Sequence, residues 1–241
     1  MASDEKPPAL ISFSLISFTR SILLILIPLI TYVLGAIPVI TLMYYLLPLL
    51  PSQPFFYIFT LTILLVLCFF FLLIFETFIP GIFIRVFRIK VKPGTYERSI
   101  NDKGFFLHLL FFVLYRPSLF FIGIIPIVPL RLLFLKIVGL TIGKGSLVAG
   151  TEIIDEPYAL TVGSNTLIGG YTTIYTHMTY KKMIEKPILI GNNCFIGNKS
   201  VLMPGVIIED DVIVEPNTAV MQDQILRKGK RYQGNPAREC K

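Results

Sequence analysis

"PILIGNNCFIGNKSVLMPGVIIEDDVIVEPNTAV" occupies residues 187–220, and Ile190, Ile196, Leu202, Ile208, Val214 and Val220 stand at every sixth position within it. A strand repeats its faces every two residues and a helix every 3.6, so neither alone produces a period of six. A short strand followed by a tight corner does, when the unit is repeated and stacked. That is the parallel β-helix, in which each hexad forms one side of a coil. The period continues upstream in Ile142, Val148 and Ile154, and again in Val162, Ile168 and Ile174 after a two-residue insertion around "DEPYAL". The residue after the aliphatic is small in many hexads (Gly143, Ala149, Gly163, Gly169, Gly191, Gly197), which is expected where the backbone turns. Sixteen residues separate Ile174 from Ile190 where twelve would keep phase, so a bulge of about four residues is expected there. Twelve hexads at three per coil give about four coils. The coil is expected over 139–221, with a C-terminal cap at 222–241.

The other half of the chain is different in kind. Hydrophobic residues make up 54% of the 241 residues and charged residues 15%, too apolar for an ordinary soluble domain. The 55 residues from Ser21 to Phe75 contain no Asp, Glu, Lys or Arg. A membrane span needs about 20 residues, so this run holds two. "PLLPSQP" at 48–54 is the turn between them. The expected spans are Ser21–Tyr45 and Phe55–Ile79, with Pro28 and Pro38 kinking the first. Lys6 and Arg20 precede them and Arg85, Arg88, Lys90 and Lys92 follow, which places both ends in the cytoplasm. The expected organisation is therefore a cytoplasmic segment 1–20, a two-span region with basic flank 21–92, and an interfacial or re-entrant helical region 93–138. Arg116-Pro117 divides that last region into Phe105–Tyr115 and Ser118–Leu130, each too short to cross a bilayer, so both are expected in the interface with their cations at the headgroups. A third span is the rival reading.

The net charge of +7 lies almost wholly in the apolar half. This suits anionic lipid rather than nucleic acid, for which the polar half shows no interleaved basic and aromatic surface. Cys68, Cys194 and Cys240 have no paired spacing, and a disulfide framework is not expected.

"IGNNCFIGNKSVLMPGVII" at 190–208, "GNPAR" at 234–238 and a His shortly before "PILIGNN" resemble the hexapeptide-repeat acyltransferases. The resemblance covers about 139–241. It implies a left-handed parallel β-helix, a homotrimer, and acetyl-CoA or another acyl-CoA lying in the groove between subunits. "KPGTYERS" at 92–99, an apolar stretch, and "PLRLLFLKIVGLTIGKGSLV" at 129–148 resemble the C-terminal membrane and β-helix region of poly-lysine synthase-like proteins. The fold expected overall is thus an all-β left-handed parallel β-helix behind an N-terminal α-helical transmembrane domain.

The sequence has two histidines. His108 lies in an apolar stretch and reads as an interfacial ring with its polar tip among headgroups. His177 lies where the hexad period fails, and loops that interrupt a rigid scaffold often carry function. It is the expected general base, taking a proton from the acceptor as it attacks a thioester carbonyl. Asp155, Glu156 and Asn165 are alternative partners to fix its tautomer. By resemblance, Phe195 lies beside the thioester arm, Asn198 faces CoA and Arg238 lies near its phosphates. Gln222 stands where many relatives carry Lys. Arg227, Lys228, Lys230 and Arg231 either compensate or form a solvated or lipid-facing patch. The fold also hosts γ-type carbonic anhydrases, whose zinc takes three His; with His177 alone on the coil, no metal is expected. The expected function is transfer of an acyl group, acetyl from acetyl-CoA, to a hydroxyl or amine of a lipid-linked or envelope acceptor. The expected location is the membrane, with the coil in the cytoplasm. The alternatives are a non-catalytic trimeric scaffold and aminoacyl transfer of the poly-lysine synthase type.

Overall fold

The structure is a computed structural model and describes residues 14–124 and 127–240. Most of the N-terminal segment, Lys6 included, lies outside the described residues.

Two long helices come first. α1 runs Leu15–Leu46 and α2 runs Pro54–Val86. Ser14 caps α1, accepting from the Ser17 amide while Ser17 reaches back to the Ser14 amide. Pro28 and Pro38 sit inside α1 without ending it. At 1.5 Å per residue each helix is roughly 50 Å long, well beyond the roughly 30 Å hydrocarbon layer. The N-terminal part of α2 exposes Phe55, Phe59, Val66 and Phe70, whereas Thr77, Pro80, Gly81 and Ile84 near its end are buried. That end packs against two further helices and the coil.

α3 runs Lys103–Ile124 without interruption, and α4 follows at Val128–Ile137. This overturns the expectation of two short pieces broken at Arg116-Pro117. Pro117 stays inside the helix without ending it. The Ser118 hydroxyl donates to the carbonyls of Glu76 and Leu114. α1, α2 and α3 are each long and apolar enough to cross a membrane. Arg116 and Arg131 do not reach out to headgroups either, whereas Lys103 and Lys136 are exposed. Arg116 pairs with Asp155, and Arg131 donates to the Glu152 carboxylate at 2.9 Å and its carbonyl at 2.7 Å. The reason is that the first coil turns a row of acids toward the helices.

That coil is a parallel β-helix with three faces. The first stacks Thr141–Ile142, Leu160–Val162, Ile188–Ile190, Ile207–Ile208 and Ile225–Leu226. The second stacks Leu147–Val148, Leu167–Ile168, Phe195–Ile196, Ile213–Val214 and Arg231–Gln233, closed by antiparallel Arg238–Glu239. The third stacks Ile153–Ile154, Thr173–Ile174, Val201–Leu202 and Ala219–Val220. The aliphatic of each hexad points inward: Ile168, Ile174, Ile196, Leu202, Val214 and Val220 are fully buried.

Two details differ from the sequence reading. The small residue after the aliphatic does not make the turn. Asn165, Tyr171, Asn193, Lys199, Asp211, Asn217 and Asp223 do, with φ between 53° and 61°, each three positions after an aliphatic. The glycines are required by the next coil: a Cβ on Gly163 would stand 2.6 Å from the backbone of Gly191, and one on Gly143 equally close to Gly163. The break after Ile174 is also larger than four residues. Val162 pairs with Ile190, 28 positions on, where Ile190 pairs with Ile208 after 18. Ten residues therefore leave the coil. They form a hairpin, His177–Thr179 against Lys182–Glu185, which takes Gly94–Glu97 as its third strand. A period of six cannot tell a skipped hexad from a present one, so the sequence underestimated the excursion.

Candidate active site

His177 is the first residue of this hairpin and faces back to the coil. Its Nδ1 lies 2.9 Å from Glu156 Oε1 and 3.0 Å from Oε2. Glu156 is buried at the entry to a short 3-10 turn, Pro157–Ala159, which is the two-residue insertion seen in the sequence. Thr176 Oγ1 donates to Glu156 Oε2 at 2.5 Å. Glu156 is thus the carboxylate that holds the ring. Asp155 is 4.0 Å from Nδ1 and bound to Arg116, and Asn165 is a corner residue whose amide reaches Asn193.

His108, on α3, is buried rather than exposed to headgroups. Its Nδ1 lies 3.3 Å from Glu156 Oε1, and the two imidazole centroids are 4.4 Å apart. One carboxylate therefore lies between two rings. Glu185 closes the group from the hairpin, where it is the cross-strand partner of His177. It is 1% exposed and neither of its carboxyl oxygens has a hydrogen-bond partner among the described residues. Just beyond, Tyr115 on α3 donates its hydroxyl to the Ile154 carbonyl at 2.8 Å. Residues His108, Tyr115 and Arg116 thus fasten α3 to the Ile154–Glu156 stretch.

Burial raises the Glu185 carboxyl to about 9, with the charges of Glu156 and Asp155 adding to it. Glu156 has the opposite balance. Burial disfavours its charge, but the two imidazoles more than offset this and its pKa is lowered. Burial pulls His177 down, while the hydrogen bond and charge of Glu156, with Asp155 behind it, lift it above its ordinary value. Asp155 is raised, by burial first and then by Glu156, against Arg116.

The other residues singled out lie elsewhere on the coil. Phe195 points outward from the second face, 39% exposed, in a column with Leu167 and Ile213. Asn198 is exposed at the corner that follows, its carbonyl accepting from Asn217. Arg238 lines an open cavity of about 620 Å³ with Asn217, Gln233 and Glu239. His177 leaves from the end of the third face, so these positions and His177 occupy different corners of one chain. Arg227, Lys228, Lys230 and Arg231 are paired with Glu209, Asp211, Glu239 and Glu215, as surface ion pairs.

Sequence reasoning missed His108, Arg116 and Glu185. It treated His177 as the sole imidazole near the coil and excluded a metal on that ground. The ground fails, because α3 brings His108 beside it. Apolar surroundings hid His108, and only the hairpin register, eight residues apart, could have pointed from His177 to Glu185.

Residues 187–221 match the family model "Bacterial transferase hexapeptide (six repeats)". The chain is 38% identical over 84 residues to the Bacillus subtilis (strain 168) protein named "Putative acetyltransferase YvoF", covering 34% of this chain and 47% of that one. It is 35% identical over 79 residues to the galactoside O-acetyltransferase of Escherichia coli (strain K12), covering 30% and 38%. It thus spans less than half the length of these curated relatives. Among solved structures, a hexapeptide-repeat containing acetyltransferase from Vibrio cholerae superposes with a TM-score of 0.43 at 20% identity, over 52% of this chain and 89% of that one.

Proposed function

We propose that the protein is a membrane-anchored, CoA-dependent acyltransferase. It transfers acetyl from acetyl-CoA to a hydroxyl or amine of a lipid-linked or cell-envelope acceptor, with His177 as general base. The observation that carries this reading is the His177–Glu156 pair on a hexapeptide coil. With Nδ1–H donated to Glu156, the lone pair of Nε2 is left to accept the acceptor's proton. The acceptor oxygen or nitrogen attacks the thioester carbonyl, and collapse expels the CoA thiolate. The proton on Nε2 then passes to that leaving sulfur. Glu156 stays ionised and stabilises the imidazolium formed in between, so no covalent enzyme intermediate is needed.

The choice of a lipid-linked acceptor is supported by the origin of the site. α3 supplies His108 and Arg116, and it packs against α2, whose other end exposes a band of aromatic side chains. A site half built from such a helix sits where a membrane-tethered acceptor can reach it. We place the coil in the cytoplasm, where CoA is available, and read it as left-handed and trimeric. The outward apolar column of Leu147, Leu167 and Phe195 supports burial against a second subunit. Such a subunit would bring the Phe195, Asn198 and Arg238 corner of one chain toward His177 of the next.

The test is acetyl-CoA binding and turnover by the detergent-purified chain beside His177→Ala. Binding by both, with CoA release only by the parent, is expected. Turnover that survives in His177→Ala overturns the assignment of the base. Absence of acetyl-CoA binding by the parent overturns the donor and returns the coil to a scaffold.

A further inference from the structure

One buried carboxylate, Glu185, needs an explanation that acyl transfer does not supply. Asp155 is matched by Arg116, and Glu152 by Arg131. Glu156 and Glu185 have no Lys or Arg partner among the described residues. Around them are two imidazoles, and Glu185 leaves both oxygens unbonded at 1% exposure. Unpaired buried polar groups of this kind are costly and uncommon.

We propose that His108, Glu156, His177 and Glu185 bind one divalent transition-metal ion, and that the bound ion removes His177 from proton transfer. One ligand atom from each of the four lies within 4.8 Å of all the others. Two of the edges are 2.9 Å, His177 Nδ1 to Glu156 Oε1, and 3.3 Å, His108 Nδ1 to the same oxygen. A tetrahedral ion with ligands at about 2.0–2.1 Å has edges of roughly 3.3 Å, so these two already suit it, and the remaining edges, all within 4.8 Å, need only small side-chain shifts. Two carboxylates and a dication sum to zero charge, and the ion gives the Glu185 oxygens the partner they lack. Paired imidazoles with carboxylates suit zinc and its neighbours better than calcium or magnesium. Entry is by way of His177, whose side chain is 20% exposed while that of Glu156 is 2%.

The consequence for activity rests on the acyltransferase reading above. In the metal-free ring the proton sits on Nδ1, toward Glu156, and Nε2 is free to accept. A metal on Nδ1 displaces that proton, and the neutral ring then carries its hydrogen on Nε2. Such a ring is a donor at the atom that must accept. The ion therefore acts as a brake on transfer.

The experiment uses the full chain in detergent, stripped with a chelator and then titrated with Co²⁺. The expected result is one Co²⁺ per chain with the visible bands of a tetrahedral ion, displaced by Zn²⁺. Glu185→Gln and His108→Gln should each weaken binding about 10-fold or more. Acetyl-CoA turnover should fall with one equivalent of Zn²⁺ and return with chelator. Absence of stoichiometric Co²⁺ binding by the parent overturns the site, whatever the turnover assay shows, and equal binding by both variants overturns the ligand set. Stoichiometric binding that leaves turnover untouched keeps the site but overturns the brake, and with it His177 as the base.

Discussion

Glu156→Gln separates a catalytic carboxylate from a merely structural one. The substitution keeps the shape of a side chain that is 2% exposed and removes its charge. His177 Nδ1 is 2.9 Å from that charge. At an effective dielectric of about 20 the attraction to imidazolium is roughly 5 kcal/mol, a ceiling because the Gln carbonyl still accepts a hydrogen bond. The His177 pKa is therefore expected to fall. The sign follows from the opposing causes. Burial lowers the His177 pKa and Glu156 raises it, with the net above the ordinary value. Without Glu156 burial is opposed only by the more distant Asp155, and the pKa falls. His177 serves as a base only when neutral, so activity is lost as pH falls through this pKa. In the parent the acid limb of kcat should therefore lie above about 6.5, and in Glu156→Gln it should move to lower pH. The plateau should drop about 10²-fold or more, because the imidazolium is no longer stabilised and the ring tautomer is no longer held. The assay is CoA release by metal-free protein from pH 5 to 9, with acceptor saturating. An acid limb that stays in place, with a plateau within about 2-fold of the parent, refutes the role of Glu156, even if Tm falls.

Arg131→Ala should destabilise the chain by about 3–5 kcal/mol, since it strands the fully buried Glu152 between α4 and the first coil; detergent-phase thermal denaturation measures it. Gly163→Ala should cost about 1–3 kcal/mol of stability by forcing a methyl into the backbone of the next coil, and an unchanged Tm would contradict the stacking described. Leu202→Ala, at a fully buried hexad position, should cost about 2–5 kcal/mol by the same measure. Arg238→Ala should raise the KM for acetyl-CoA several-fold with little change in kcat; a kcat effect alone would place Arg238 outside the nucleotide site.

The period of six was legible because its cause is local and repeated. Each coil wants an aliphatic facing inward at Ile190, Ile196 and Leu202, and nothing else in the chain competes for those positions. The apolar character of α1 and α2 was equally plain, since long uncharged runs have few other uses. His177 stood out because the repeat breaks beside it. What the tertiary structure decided is how the two halves meet. His108 and Arg116 read as cations or polar tips seeking headgroups, yet they face Glu156 and Asp155, 48 and 39 positions away. Pro117 read as a break, yet α3 continues through it, and Ser118 beside it binds the Glu76 carbonyl of α2. Glu185 carried no signal in the sequence, and strand pairing with His177 buries it with neither carboxyl oxygen hydrogen-bonded among the described residues. Periodicity records which face of an element is apolar. It holds no record of which distant element will cover that face, and the candidate site lies where α3 covers the coil.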